Sequence, residues 1–112
     1  MTVKILDDPL YLLLRNEQVK TFNEKRASID KIDFSNADFR GLDLRGLNAQ
    51  GINFSGAYFR GADLRGIDFS QSNLRGASIA SAHVSGCYFP AELNAQELEL
   101  SIARGTRLRY RV

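Results

Sequence analysis

The chain has 112 residues, with 15 Lys and Arg against 13 Asp and Glu, 44% hydrophobic residues and one cysteine. That length suits one domain, and a net charge of +2 gives no strong field toward nucleic acid or a membrane surface. A single cysteine excludes an internal disulfide, no apolar run approaches a membrane span, and the expected compartment is the cytoplasm.

Residues 1–26 read as an N-terminal helical cap. Asp8 before Pro9 is a helix start, with a capping carboxylate and a proline in the first turn. Leu10, Leu13 and Leu14 then form an apolar stripe. Asn16 breaks the helix, and Val19 and Phe22 belong to a second short helix ending near Arg26.

From Ala27 to Ala91 the pattern changes. Eight of the nine glycines, at 41, 46, 51, 56, 61, 66, 76 and 86, fall on one five-residue beat. A short fixed period marks a solenoid whose units stack on their neighbours. Thirteen units centre on Ile29, Phe34, Phe39, Leu44, Ala49, Phe54, Phe59, Leu64, Phe69, Leu74, Ile79, Val84 and Phe89, each with a small or apolar residue two positions earlier. Asp or Asn usually precedes the centre, and Arg or Ser follows it. Ala49 is a small centre and Leu47 an unusually large neighbour, which reads as one compensated swap. Gln71 and Ser81 stand where glycine is expected, so a different turn is expected at those corners.

The stretches ADFRG (37–41), GLDLRG (41–46) and GADLRG (61–66) resemble pentapeptide-repeat proteins, over 65 of the 112 residues. The resemblance implies an all-β solenoid: a right-handed quadrilateral β-helix with four units per coil, here about three coils, with short capping helices at both ends. It also implies a bacterial source. The sequence supports a twenty-residue superperiod by itself, since ADFRGLDLRG (37–46) recurs as AYFRGADLRG (57–66). Phe34 is then expected under Phe54, Phe39 under Phe59, and Leu44 in a column with Leu64 and Val84.

Residues 92–112 complete the chain as a C-terminal helix and Arg-rich tail. Asn94 with Glu97 resembles a capping box, and the helix is expected over 95–104 with a stop at Gly105. Leu98 and Ile102 share its apolar face. Leu108, Tyr110 and Val112 then alternate with Arg107, Arg109 and Arg111, the pattern of an extended segment.

The repeat region carries six bases and six acids and is neutral. Its candidate interaction surface is the set Asp43, Asp63, Arg45 and Arg65, stacked in columns beside Arg40 and Arg60, with Tyr58 and Tyr88 at outward positions usually held by Asp or Asn. Arg104, Arg107, Arg109 and Arg111 are candidate phosphate contacts. His83 and Cys87 differ in phase, one outward and one inward, so no metal site is expected. No catalytic residue and no cofactor is expected either: the glycines lack the Lys of a phosphate loop, and a convex solenoid has no cleft for acid–base chemistry. The expected function is a non-enzymatic protein-interaction or scaffold module with an unidentified protein partner. Two alternatives stand beside it. The resemblance suggests a DNA-mimicking modulator of DNA gyrase or topoisomerase, against which the neutral body and basic tail weigh. Weak nucleic-acid binding through the Arg cluster is the other, disfavoured by the same neutral body. A homodimer through an end or through the C-terminal segment is left open.

Overall fold

The computed structural model describes residues 5–111. The chain runs through α1 (Pro9–Arg15), α2 (Val19–Arg26), β1 (Ile32–Asp33), β2 (Ile52–Asn53) and α3 (Ala95–Arg104). β1 and β2 pair in parallel, Ile32 with Ile52 and Asp33 with Asn53. Further parallel bridges join Asp38 to Tyr58 and on to Ser78, Asp43 to Asp63 and on to His83, Asn53 to Asn73, and Asp68 to Tyr88. Every pair is twenty residues apart, so the chain winds as a β-helix solenoid. A turn every five residues leaves each straight side one or two paired residues long, so regular strand is scarce, and among the described residues the caps supply three helices.

Hydrogen bonds between windings run from a unit's centre to the residue nineteen positions on. Phe34 N–H donates to Asn53 O at 2.8 Å, Phe39 N–H to Tyr58 O at 2.8 Å, Phe59 N–H to Ser78 O at 2.8 Å and Leu64 N–H to His83 O at 2.9 Å. Inside, the expected aromatic columns form. Phe39 stacks on Phe59 with centroids 5.1 Å apart, Phe69 on Phe89 at 5.9 Å, and Phe34 meets Phe54 at 6.2 Å. Such pairs add to the area they bury. Leu47 and Ala49 are both buried, and Ser72, at an inward position, satisfies its hydroxyl by donating to Ala49 O at 2.7 Å.

The first units differ from the sequence reading. Ala27 and Ile29 are exposed, and the inward pattern begins at Ile32. Ala27 and Ile29 continue the end of α2 through bonds from their N–H groups to Glu24 O and Arg26 O. The Arg26 guanidinium occupies the region below the winding, donating to Ile29 O, Asn48 O and Gln50 O. At the corners, Ser81 keeps the left-handed backbone at φ +55, whereas Gln71 does not. The changed turn therefore occurs at one of the two positions. Asn36 also takes a glycine's place, at φ +59.

Both caps act through hydrogen bonds as well as apolar contact. In α1, Asp8 caps Leu10 N–H at 2.8 Å, and the helix ends at Asn16. The buried pair of α1 is Tyr11 and Leu14, while Leu10 and Leu13 are only half-buried. Tyr11 lies edge-on against Phe34 and Phe39, and its hydroxyl donates to Asp38 O at 2.6 Å. Glu17 accepts from Asp43 N–H, and Asn23 accepts from Asn48 N–H at 2.9 Å while donating to Gly46 O at 2.9 Å. These side chains replace the missing preceding winding.

At the other end, α3 starts at Asn94, whose Oδ1 accepts from Glu97 N–H at 2.9 Å, and stops at Gly105 with φ +73. The capping box is half-formed, because the Glu97 carboxylate turns to Arg109. The most buried residues of α3 are Glu97 and Ser101, with Leu98 and Ile102 half-buried. Ser101 Oγ accepts from Ile79 N–H at 3.0 Å. The extended segment after α3 lies along the last winding. Gly76 N–H donates to Leu108 O and Leu108 N–H to Ala77 O, both at 2.8 Å, and Tyr110 Oη accepts from Leu74 N–H at 2.7 Å. Val112 lies outside the described residues.

Candidate interaction surface

The outward Asp or Asn of each unit first serves the backbone. Its Oδ1 accepts from the N–H two residues on: Asp33 from Ser35, Asn53 from Ser55, Asp68 from Ser70 and Asn73 from Arg75, all at 2.9 Å. This local turn explains why Asp and Asn recur there. Hydrogen bonds at Ser35 and Ser70 hold the Asp33 and Asp68 carboxyls below the usual carboxylate range.

Where Arg follows two residues after Asp, the unit also closes an ion pair on itself. Asp38 with Arg40, Asp43 with Arg45, and Asp63 with Arg65 each form two parallel bonds, Nε to Oδ1 at 2.9 Å and Nη2 to Oδ2 at 2.7–2.8 Å. This fork is the geometry in which Arg binds a carboxylate best. The Arg side chains push the three carboxyls down, Asp63 to about 2, and the Asp partners raise the three guanidiniums. Arg45 also reaches Asp63 of the next winding at 3.4 Å. The Asp43–Asp63–His83 ladder is therefore assembled, but its charge is spent internally.

The arginine columns split on this rule. Arg40, Arg45 and Arg65 are neutralised. Arg60 follows Tyr58 and Arg75 follows Asn73, so neither has an acid two residues back, and neither forms an ion pair among the described residues. Tyr58 is half-buried, and the guanidiniums of Arg40 and Arg107 both lie over its ring, at 5.6 Å and 5.9 Å. Tyr88 is 69% exposed but belongs to another ladder, paired with Asp68, so the two tyrosines do not share a patch.

The Arg-rich tail disperses. Arg109 pairs with Glu97 through Nη2 at 2.7 Å, raising its own affinity for a proton and lowering that of Glu97. Arg107 donates through Nη1 to Gly56 O and Gly76 O at 3.1 Å each. Arg104 ends α3, and Arg111 N–H bonds Glu92 O. The acids that precede these arginines in sequence are partly among their partners in space. Sequence reasoning did not bring Arg75 and Arg107 to one groove, although Asn at 73 is the signal that leaves Arg75 without a carboxylate.

The winding repeat and its Asx corners agree with a comparison of the chain against family models. The model for pentapeptide repeats matches residues 25–56 and 52–89, with eight copies. The chain belongs to the pentapeptide-repeat family. No curated protein and no solved structure matches it. In this pentapeptide-repeat chain Cys87 is half-buried, its thiol donates to Leu64 O at 2.9 Å, and burial pushes its pKa up. His83 is exposed on the opposite side of the wall. Among the described residues no three His, Cys, Asp or Glu side chains are grouped to hold a metal, and no helix is long and apolar enough to cross a membrane.

Proposed function

We propose that this pentapeptide-repeat chain is a non-enzymatic interaction module whose recognition face centres on Tyr58 and takes an acidic surface of a protein partner. The supporting observation is the division of the arginines. Arg45 and Arg65 are neutralised by their own units, whereas Arg60, Arg75 and Arg107 bring uncancelled charge to both sides of the Tyr58 ladder. A tyrosine framed by arginines suits a binding hot spot. The body that presents it is a right-handed, four-sided β-helix of about three coils, and the cytoplasm is where the thiol of Cys87 would stay reduced.

Capture experiments with three forms test the face. Arg60→Glu combined with Arg75→Glu is expected to lose the partner, while Arg45→Gln combined with Arg65→Gln keeps it. The reverse pattern refutes the assignment. The duplex-mimic alternative draws no support from a body 35 Å long, about one helical turn of DNA, with a basic face. Nor does the tail supply a phosphate-binding cluster of four arginines, since Arg109 is paired with Glu97.

A further inference from the structure

One corner of the solenoid carries a feature beyond charge. Asn36 N–H donates to Ser55 O at 2.8 Å and Gly56 N–H to Arg75 O at 2.9 Å, so the corners at 35–36, 55–56 and 75–76 stack. Leu108 O accepts from Gly76 N–H at 2.8 Å, which places the C-terminal segment as the next rung and brings in Arg107. The result is a groove of about 420 Å³ lined by Ser35, Asn36, Ser55, Arg75 and Arg107, together with glycine backbone and Asn53. Among the described residues no carboxylate lines it, although Asp33 stands behind its rim, accepting from Ser35 N–H at 2.9 Å and Asn53 Nδ2 at 3.4 Å.

We infer that this groove binds a phosphoryl monoester, the dianionic group of a phosphorylated side chain or of free phosphate. Both guanidiniums are held in place before any ligand arrives. Arg107 uses Nη1 on two carbonyls and keeps Nε and Nη2 for a ligand. Arg75 lies over the Tyr110 ring at 5.0 Å, and its guanidinium has no hydrogen bond among the described residues. Side chains already ordered lose little freedom on binding, and Arg offers the planar fork that oxyanions accept. Ser55 adds a hydroxyl donor, whereas the Ser35 side chain already bonds the Asp33 carboxylate. Asn36 also lines the groove; its Oδ1 is buried without a partner among the described residues, and its amide Nδ2–H is a donor that a fully ionised phosphate oxygen accepts. Two guanidiniums match a monoester of charge near −2 better than the single charge of a nucleic-acid diester.

The proposal deepens the recognition-face reading, because the groove borders the Tyr58 ladder. Its test uses the full chain labelled with ¹⁵N. Inorganic phosphate, a phosphoserine peptide and a mixed-sequence oligonucleotide are titrated separately, with chloride holding ionic strength constant. Saturable shifts of the Gly56 and Gly76 amides and the Arg75 and Arg107 Nε–H signals are expected with the first two probes, tighter for whichever is the natural source. Arg75→Gln is expected to weaken binding about tenfold, the size of one lost charge-assisted hydrogen bond, and Arg107→Lys to do the same while keeping the charge. Arg75 holds no structural hydrogen bond through its guanidinium, so its variant reports even if Arg107→Lys fails to fold. No saturable shift beyond chloride, an undiminished response in Arg75→Gln, or tighter binding of the oligonucleotide overturns the groove. Partner capture that is lost in Arg60→Glu but indifferent to competing phosphate would refute the groove and leave the recognition face standing.

Discussion

Single side chains in this solenoid answer to the backbone first and to solvent second. The Asp-x-Arg spacing was plain in the sequence, but its closure into a fork was not, because the pattern alone does not say whether Arg turns back to its own unit or outward. The distinction decides the surface: Arg65 is cancelled by Asp63 at 2.7 Å, and Arg60 is not cancelled. It also sets an acid response. Unfolded carboxylates take up protons near pH 4, while Asp38, Asp43 and Asp63 do so lower, Asp63 at about 2. Between those values the unfolded chain binds more protons, so stability falls as pH falls through this window and is fully present above it. Urea melts from about pH 5 to about pH 2 should show this decline, and Asp63→Asn should make it shallower. Tyr11 was missed in the sequence because three leucines around it dominated the pattern. Tyr11→Phe removes the donor to Asp38 O, which Arg15 also approaches at 3.4 Å. Its expected cost is about 1 kcal/mol in a denaturant melt.

At the scale of the repeat and its caps, periodicity made most of the fold legible. The inward columns and the two helices flanked by Asp8 and Gly105 follow from spacing and end signals. The first two inward positions were misassigned because the beat extends backward through residues that α2 already claims, and Ala27 fits either role. Corners also differ in ways that glycine spacing hides. A Cβ added to Gly66, at φ +78, meets nothing within 4 Å, whereas at Gly51, φ +73, it runs into the backbone carbonyl of Asp30. Gly66→Ala should therefore cost only the left-handed strain, about 1–2 kcal/mol, and Gly51→Ala about 3 kcal/mol or more. Paired unfolding curves of the two variants measure the gap. Leu47→Ala tests the compensated swap: Leu47 is 5% exposed beside the buried Ala49, and a loss of about 2–5 kcal/mol is expected.

Taken whole, the molecule measures 35 × 24 × 23 Å, a short block in which the two ends weigh as much as the wall. Its ends are not treated alike. Tyr11, Asn23 and Arg26 meet the first edge, and Leu108, Tyr110 and Ser101 meet the last one at Leu74, Gly76 and Ile79. Beyond that cover, Val84, Gly86 and Phe89 N–H find no acceptor among the described residues. The counterparts of Val84 and Gly86 one winding earlier, Leu64 and Gly66, bond His83 O and Ser85 O at 2.9 Å and 3.0 Å. The C-terminal segment is already engaged with its own chain, whereas this short edge stays open to end-to-end pairing. It presents few such donors, Phe89 N–H being a third, and Pro90 follows directly, features that blunt an edge against other chains. The expected behaviour is a monomer whose Leu64 and Phe59 amides exchange with solvent slowly while Val84 and Gly86 exchange fast, with rates independent of protein concentration. Hydrogen exchange at two concentrations, read beside sedimentation, decides it: protection of Val84 and Gly86 that rises with concentration would mean that two copies extend each other's windings.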